Sequence, residues 1–341
     1  MSIIGYNIQA NISMKSPVAI TPVYNKPYNI VEWTLHNVCN YDCSFCGNEF
    51  KSGSNKWLTL DEYKIGVDKI IAESKSTGKL VWFKITGGEP TLFPKLIELI
   101  SYIKQLGAYV SMISNGSRTL RWWKELSESN CLDTLMITYH PEQCNNPQHV
   151  INVANLFNST STFVYYNITT IPEYFDAAIM AHDKILEECN TITSSLALII
   201  DNKGTNKYSS IQLEKLKNTN IIKSKKWDFT NKWKNIPKDC WYGTTEVDVL
   251  YDDGSKKVVH GNYLLKNQQN NYKNWKCKVG INVIKIIHDT VYRGICQSGI
   301  PKNIFTNSIF YDNSIICSRE SCNCTLDITV EKQKIMNNQT S

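Results

Sequence analysis

Apolar runs of strand length alternate with helical patterns from about residue 30 to residue 200. These runs predict strands at residues 30–35, 81–86, 109–114, 134–139, 163–169 and 195–200. Between the first two runs, Thr59 can cap a helix and Glu62 can complete its capping box. Successive strand–helix units predict an α/β fold with a parallel sheet, and right-handed crossovers curl such a sheet toward a barrel or partial barrel.

The rest of the 341-residue chain follows other patterns. Residues 1–28 are an N-terminal extension without an assignable fold, and the predicted barrel covers residues 29–202. Residues 203–275 are rich in Asn, Lys, Ser and Thr, which indicates a connecting region with weak secondary structure. Residues 276–330 predict a small cysteine-rich domain that contains a hairpin, and residues 331–341 predict a disordered tail.

The sequence contains no run of roughly 18 apolar residues and no secretory signal pattern. We therefore expect a cytoplasmic protein without a membrane partner. Because cytosolic thiols stay reduced, metal or cluster ligation is a better default for its 12 cysteines than disulfides, although Cys131, Cys144, Cys189 and Cys240 have no matching partners and are expected to be buried apolar thiols. The lysines between residues 223 and 234 indicate a solvated face, or alternatively a contact with phosphate or nucleic acid; nucleic acid is not the expected partner.

Three cysteines lie on one short loop directly after the first predicted strand: Cys39, Cys43 and Cys46. Such a loop can wrap three thiolates around a four-iron cluster and leave the fourth iron without a protein ligand. That iron could bind a substrate or cosubstrate. The alternative is a structural zinc site, for which His36 could supply the fourth ligand.

The spacing of this loop, with Phe45 before the last cysteine, resembles the signature of the radical S-adenosylmethionine (radical SAM) superfamily. The resemblance implies a [4Fe-4S] cluster whose open iron chelates the amino and carboxylate groups of S-adenosylmethionine, with Phe45 near the adenine. It also implies a partial (β/α)6 TIM-type barrel with the cluster at its top.

A second motif, Gly87-Gly88-Glu89-Pro90, follows the second predicted strand. Its glycines allow close backbone approach, and Glu89 can accept a hydrogen bond from an ammonium group. In this position the motif resembles the one by which the superfamily holds the amino group of S-adenosylmethionine.

Polar residues also stand at the ends of the third and fourth predicted strands: Ser114, Asn115, Thr138 and His140. Catalytic groups of such barrels collect at the carboxyl ends of the strands. The resemblance implies contacts to the carboxylate and ribose of the cosubstrate, whereas the alternative is ordinary hydrogen bonding at turns and strand ends.

Five further cysteines lie close together near the end of the chain: Cys277, Cys296, Cys317, Cys322 and Cys324. A hairpin flanked by thiols and followed by a thiol pair can enclose one further four-iron cluster. This region resembles the SPASM and shorter twitch domains of the superfamily, which implies a second, auxiliary [4Fe-4S] cluster. The sequence does not show which four of the five cysteines are ligands, and a structural zinc site is the alternative.

The resemblance implies an enzyme that cleaves S-adenosylmethionine reductively and abstracts hydrogen from a substrate, with a flavodoxin or ferredoxin as reductant. A peptide or protein side chain is the favoured substrate, by analogy with maturases of ribosomally made peptides. The alternatives are a small sugar or nucleotide metabolite, activation of another enzyme, and, from another class, a non-enzymatic iron–sulfur electron-transfer protein. The catalytic residues themselves are not predicted.

Overall fold

A computed structural model describes residues 15–23, 28–189, 193–198, 208–219, 246–294, 296–322 and 325–335. It divides the chain into two units, one made of residues 1–25, 244–278 and 315–341, and the other of residues 26–243 and 279–314. The predicted lysine run between residues 223 and 234, and Cys324, lie outside the described residues.

The larger unit contains a nine-stranded sheet within the described residues, in the order β13-β12-β11-β2-β3-β4-β5-β6-β7. Its strands are β2 (Tyr28–Thr34), β3 (Leu80–Thr86), β4 (Tyr109–Ser114), β5 (Thr134–Tyr139), β6 (Phe163–Thr170), β7 (Thr193–Leu198), β11 (Val283–Ile287), β12 (Thr290–Tyr292) and β13 (Lys302–Asn303). Its helices are α1 (Leu60–Ser76), α2 (Leu96–Gln105), α3 (Leu120–Ser129), α4 (Gln148–Asn155), α5 (Phe175–Glu188) and α6 (Ser210–Thr219).

Strands β2 to β7 are parallel, and each pairs with the next in chain order. The predicted mixed α/β fold is thereby confirmed. Helix α1 begins with the predicted capping box, in which Thr59 and Glu62 bond each other's backbone amides. The last parallel strand, β7, lies two residues earlier than the sequence predicts.

The two faces of this sheet differ in chemistry. Alternate residues such as Val31, Phe83 and Ile137 join the buried apolar core that the helices cover. The residues between them, including Glu32, Lys84, Ser111, Met136 and Lys285, point to the opposite side, which we call the polar face.

The predicted hairpin at residues 283–294 forms, but it extends the large sheet. Strand β11 pairs in parallel with β2 and antiparallel with β12. This differs from the predicted boundaries, which assign the hairpin to a separate cysteine-rich domain. The reason is its apolar composition, since Ile284 and Ile286 are fully buried in the core of the larger unit.

The smaller unit contains a sheet whose described strand pairs are all antiparallel, in the order β14-β10-β15-β1-β8-β9. Its elements are β1 (Pro17–Pro22), β8 (Glu246–Tyr251), β9 (Lys256–His260), α7 (Gly261–Lys266), β10 (Trp275–Cys277), β14 (Ile315–Ile316), α8 (Thr325–Ile328) and β15 (Lys332–Lys334). Regular structure therefore lies within segments predicted as an extension, a connecting region and a disordered tail. Ile20, Val247 and Val249 form part of its core.

Among the described helices, none combines the length and the apolar character that crossing a membrane requires.

Candidate functional site

A cavity of about 200 Å³ lies at the carboxyl ends of β3, β4 and β5 in the larger unit. The thiols of Cys39, Cys43 and Cys46 line it together. It is also lined by other residues singled out from the sequence: Phe45, Gly87, Gly88, Glu89, Ser114, Asn115, Thr138 and His140. Pro90 is buried and begins a short 3-10 helix directly behind Glu89.

Asn37 holds the start of the cysteine loop in place. Its side-chain amide donates hydrogen bonds to the Glu49 carbonyl at 3.1 Å and to the hydroxyls of Ser52 and Ser54, each at 3.0 Å. Its side-chain oxygen accepts from the Asn55 amide at 2.8 Å. These bonds join the two ends of the loop, a role that sequence reasoning missed.

Lys51 is a second residue that the sequence did not single out. Its ammonium group donates to the Cys43 carbonyl at 2.8 Å, pairs with the exposed Asp42, and lines the cavity. Its positive charge lies near the thiols of Cys43 and Cys46 and would favour their ionised form.

The Gly87–Gly88 segment packs directly against the backbone before the cysteines. The Gly88 amide donates to the His36 carbonyl and the Glu89 amide to the Val38 carbonyl, each at 2.8 Å. A Cβ atom on Gly88 would lie 2.2 Å from the Val38 carbonyl oxygen, which is inside hard contact distance. Glycine is therefore required at position 88 because two backbone segments meet there.

Gly88→Ala is expected to lower the free energy of unfolding by about 1–3 kcal/mol, because the backbone of Val38 must move away. Iron bound after anaerobic reconstitution should fall as well, since the cysteine loop moves with it. Denaturant unfolding and iron analysis measure the two effects. Gly87→Ala is the control, because its Cβ would lie 3.1 Å from the His36 carbonyl oxygen and a smaller shift accommodates it. Equal behaviour of Gly88→Ala and wild type would contradict the steric account.

Glu89 is a buried carboxylate, with 1% of its surface exposed. It accepts hydrogen bonds from the Thr91 amide and hydroxyl, from the Ser114 hydroxyl at 2.7 Å and from the Asn115 amide at 2.7 Å. Burial raises its pKa, and these hydrogen bonds oppose that rise. No lysine, arginine or histidine within the described part of the chain pairs with it. The cavity thus presents a carboxylate that lacks a cation, which fits a ligand with an ammonium group.

Ser114 and Asn115 hold Glu89 in position. Besides its backbone bond to Glu89, Asn115 donates from its side-chain amide to the side-chain oxygen (Oδ1) of Asn40 at 3.1 Å. This bond connects the end of β4 to the cysteine loop. The sequence predicts that Ser114 and Asn115 contact the cosubstrate. In the structure, both residues bond Glu89, and Asn115 also bonds the cysteine loop.

His140 lies between the cysteine loop and the end of β5. Its ring is stacked on Phe45 with centroids 6.0 Å apart, and its Nδ1 lies 3.3 Å from the Cys43 sulfur. Burial lowers the pKa of His140 to about 4, so the ring is neutral near neutral pH. Thr138, also at this strand end, lines the cavity beside it.

Burial raises the pKa of all three loop thiols, to about 12 for Cys43. Free thiols would therefore be protonated here, and a bound metal would have to displace their protons. Within the described residues, no three Cys, His, Asp or Glu side chains converge as ligands of a single metal ion. His36, the fourth ligand that a zinc site would need, does not line the cavity, and its Nδ1 accepts from the Val38 amide. The donor set fits a cluster with several metal corners better than one zinc ion.

Of the four later cysteines that the structure describes, Cys277, Cys317 and Cys322 lie in the smaller unit, whereas Cys296 lies in the larger one. Cys277 ends β10, and the Cys317 amide donates to the Trp275 carbonyl at 2.8 Å. This antiparallel register puts the side chains of Cys277 and Cys317 on the same side of the sheet. Cys317 and Cys322 both pack against the core of this unit.

Tyr272 belongs to that core and carries a buried hydroxyl that makes no hydrogen bond within the described residues. Burial is the main cause that raises its pKa, and Cys322 and Cys277 are among the nearby groups that add to the effect. A buried hydroxyl near two thiols fits a group that brings hydrogen-bond acceptors, such as the sulfides of a cluster.

Residues 33–140 match the family model described as the radical SAM superfamily. The matched segment includes the cysteine loop and Glu89, and it ends at His140.

Curated relatives include two proteins described as probable GTP 3',8-cyclases. The protein of Saccharolobus islandicus is 35% identical over 94 residues, which cover 27% of this chain and 29% of that protein. The protein of Pyrobaculum aerophilum is 32% identical over 104 residues, which cover 30% of this chain and 32% of that protein. The chain therefore spans less than a third of the length of these relatives.

Two solved structures of SuiB from Streptococcus suis are similar in fold. The structure bound to S-adenosylmethionine has a TM-score of 0.52 at 13% identity and covers 84% of this chain and 64% of SuiB. The structure bound to the precursor peptide SuiA has a TM-score of 0.52 at 14% identity and covers 84% of this chain and 65% of SuiB. At this identity the similarity concerns the fold alone.

Proposed function

We propose that this chain, which carries a radical SAM domain at residues 33–140, cleaves S-adenosylmethionine with one electron to methionine and a 5'-deoxyadenosyl radical. The radical then takes a hydrogen atom from a substrate C–H bond, which gives 5'-deoxyadenosine and a substrate radical. The superfamily and the curated relatives are enzymes, which supports a catalytic role over a purely electron-carrying one. A flavodoxin or ferredoxin supplies the electron.

In this proposal Cys39, Cys43 and Cys46 hold a [4Fe-4S] cluster that has one iron without a protein ligand. When bound, the cluster would pass on the electron from the reductant and would offer a coordination site for the cosubstrate. Among the chain's own residues, Lys51 donates from its ammonium group to the Cys43 carbonyl and so helps to hold the loop that would carry the cluster. A partial (β/α)6 barrel is the architecture we propose around this site.

The observation that carries the proposal is Glu89, a buried carboxylate in the cavity that no lysine, arginine or histidine of the described residues pairs with. We assign it to the ammonium group of S-adenosylmethionine, which would give a charge-assisted hydrogen bond in a site shielded from water. Gly87 and Gly88 leave the cavity free of side chains beside it, and Pro90 fixes the turn behind it. A protein that only carries electrons has no need of this group.

The other predicted contacts remain part of the proposal. Phe45 would pack near the adenine with His140 stacked behind its ring, and Thr138 would contact the ribose or carboxylate. Ser114 and Asn115 would act mainly through Glu89, whose carboxylate they orient.

Electron paramagnetic resonance of the reduced, anaerobically reconstituted protein tests cosubstrate binding. Addition of S-adenosylmethionine is expected to change the g-values of one cluster, because its amino and carboxylate groups reach an iron that lacks a protein ligand. The neutral analogue methylthioadenosine, which lacks the amino and carboxylate groups, is the control and should leave the spectrum unchanged. Identical spectra with and without S-adenosylmethionine would contradict an open iron site.

We further propose a second [4Fe-4S] cluster held by four of the five later cysteines: Cys277, Cys296, Cys317, Cys322 and Cys324. The shared side of Cys277 and Cys317 and the buried Tyr272 hydroxyl support a site in this part of the chain. The amine of Lys332, which is opposite Cys277 in the sheet, lies 4.9 Å from the centre of the Tyr272 ring. Its positive charge would stabilise an anionic cluster. Such a cluster could accept the electron left after substrate oxidation, or it could ligate the substrate. The alternative to a second cluster is a zinc site in a twitch-like fold.

For the substrate, we propose a peptide or protein side chain, as in maturases. The SuiB fold, which spans 84% of this chain, supports this choice. A small nucleotide metabolite is the second candidate, and it is favoured by the 35% identity to proteins described as GTP 3',8-cyclases over 94 residues.

A further inference from the structure

Three charged side chains stand side by side on the polar face of the large sheet. Lys285 of β11 is directly opposite Glu32 of β2, and Glu32 is directly opposite Lys84 of β3. Because residues in register on neighbouring strands share a face, the three side chains form a row across three strands. We call this row the charged row.

One ammonium group of the charged row is already neutralised. Lys285 Nζ lies 2.5 Å from Glu32 Oε1, and both side chains are largely buried, with 9% and 14% of their surfaces exposed. Charges buried to this degree need a partner, because desolvation costs several kcal/mol for each ion. Lys285 and Glu32 therefore satisfy each other.

Lys84 has no such partner among the described residues. Its ammonium group lies 4.8 Å from the centre of the Trp82 ring, and no carboxylate of the described residues is within ion-pair distance of it. The neighbour on its other side is Ser111, whose hydroxyl accepts from the Trp82 indole at 2.8 Å. The charged row thus has one positive charge that no carboxylate of the described residues compensates.

The charged row lies close to the cavity. Lys84 precedes Thr86 by two residues on the same strand, so both side chains point to the same face, and Thr86 lines the cavity. At about 3.3 Å per residue, the two Cα positions are roughly 7 Å apart along the strand. A substrate that meets the cosubstrate in the cavity can therefore reach Lys84 with its far end.

We propose that Lys84 binds an anionic group of the substrate, either a carboxylate or a phosphate. This inference rests on the proposed function, because it supposes that the substrate occupies the polar face next to the cavity. Lysine acts here as a point charge, which suits both oxyanions. The binding orients the substrate, so that the C–H bond to be cleaved faces the cavity and the anion points away from it.

Calorimetry measures the binding of anionic probes to the anaerobic holoenzyme, and so tests this role of Lys84. The protein is loaded with S-adenosylmethionine but not reduced, so that no turnover takes place. Two pairs of probes differ only in the anion: GTP against guanosine, and N-acetylglutamate amide against N-acetylglutamine amide. We expect one anionic probe to bind about tenfold or more tightly than its neutral partner. Preference within the first pair identifies a phosphate, and preference within the second a carboxylate.

Lys84→Met should abolish this preference, and Lys84→Arg should keep it because the charge remains. Lys75→Met, at an exposed site near the end of α1, is the matched control and should bind like wild type. Thermal unfolding of each variant shows that the fold is intact. The inference is overturned if neither anionic probe is preferred at up to millimolar concentrations, or if Lys84→Met retains the preference. Binding of anions without formation of 5'-deoxyadenosine on reduction would instead count against the proposed function.

Discussion

Replacing Cys39, Cys43 and Cys46 together by alanine is expected to abolish cleavage of S-adenosylmethionine and to remove about four iron atoms per chain. No other cysteine of the described residues lines the cavity, so no further described thiol there can replace the lost ligands. The iron of the second site should remain, because its cysteines come from another part of the sequence. Iron and sulfide analysis after anaerobic reconstitution, with product analysis by chromatography, measures both effects.

A matched control replaces three cysteines that lie outside the cavity, Cys131, Cys144 and Cys189. This variant should keep its full iron content and its activity. If the variant without the loop cysteines loses all of its iron, the result would contradict the proposed second cluster. If the iron content of the same variant is unchanged, the cysteine loop does not hold the first cluster.

Glu89→Gln is expected to weaken the binding of S-adenosylmethionine by about ten- to a hundredfold, the range of one hydrogen bond to a charged group. The exchange removes the negative charge but keeps the size of the side chain. It also places an amide group where the carboxylate now accepts from Thr91, Ser114 and Asn115. Titration of the reduced cluster by electron paramagnetic resonance gives the affinity of each variant.

The pH dependence of this binding follows from the same group. Burial raises the pKa of Glu89, so its carboxylate is lost as the pH falls through that raised value, and affinity should fall with it. Without the cosubstrate, the raised pKa means that Glu89 favours folding at low pH and opposes it once ionised. Glu98→Gln, at an exposed ion pair with Lys95, is the control. It should change neither the affinity for S-adenosylmethionine nor the pH dependence of that affinity. Equal affinity of Glu89→Gln and wild type would exclude Glu89 as the ammonium-binding group.

The larger unit was largely predictable because its strands are apolar on a regular period and its helices carry local signals. Strands β4 and β5 have the predicted bounds, and α1 begins at the predicted capping box. The hairpin of β11 and β12 was also predicted, but its place beside β2 was not. Pairing between strands some 250 residues apart leaves no trace in a local sequence window.

The smaller unit was mostly missed, although part of it carries a local signal. Val247, Val249 and Tyr251 alternate with less buried residues before a turn at Asp253-Gly254, where Gly254 has a φ of +80°. This is the pattern of a β-hairpin, which β8 and β9 form. Strands β1 and β15 offered no such signal, because they are short and pair only with distant segments.

For the candidate site, the motifs predicted which residues share the cavity, but not how they contact one another. Ser114 and Asn115 bond Glu89, and His140 lies beside Cys43, contacts that depend on how the strand ends come together. Asn37 and Lys51 carry no motif, since their contribution is to bond loop backbone whose course the sequence does not reveal. The charged row could not be predicted either, because it depends on which residues of neighbouring strands are in register.

Release of 5'-deoxyadenosine is the most direct test of the proposed chemistry. Anaerobically reconstituted wild-type protein, given dithionite and S-adenosylmethionine, is predicted to form 5'-deoxyadenosine and methionine in equal amounts, slowly even without substrate. Omission of dithionite, or use of the variant without Cys39, Cys43 and Cys46, should abolish both products. Absence of 5'-deoxyadenosine from wild-type protein whose loop cluster is intact by electron paramagnetic resonance would contradict the account.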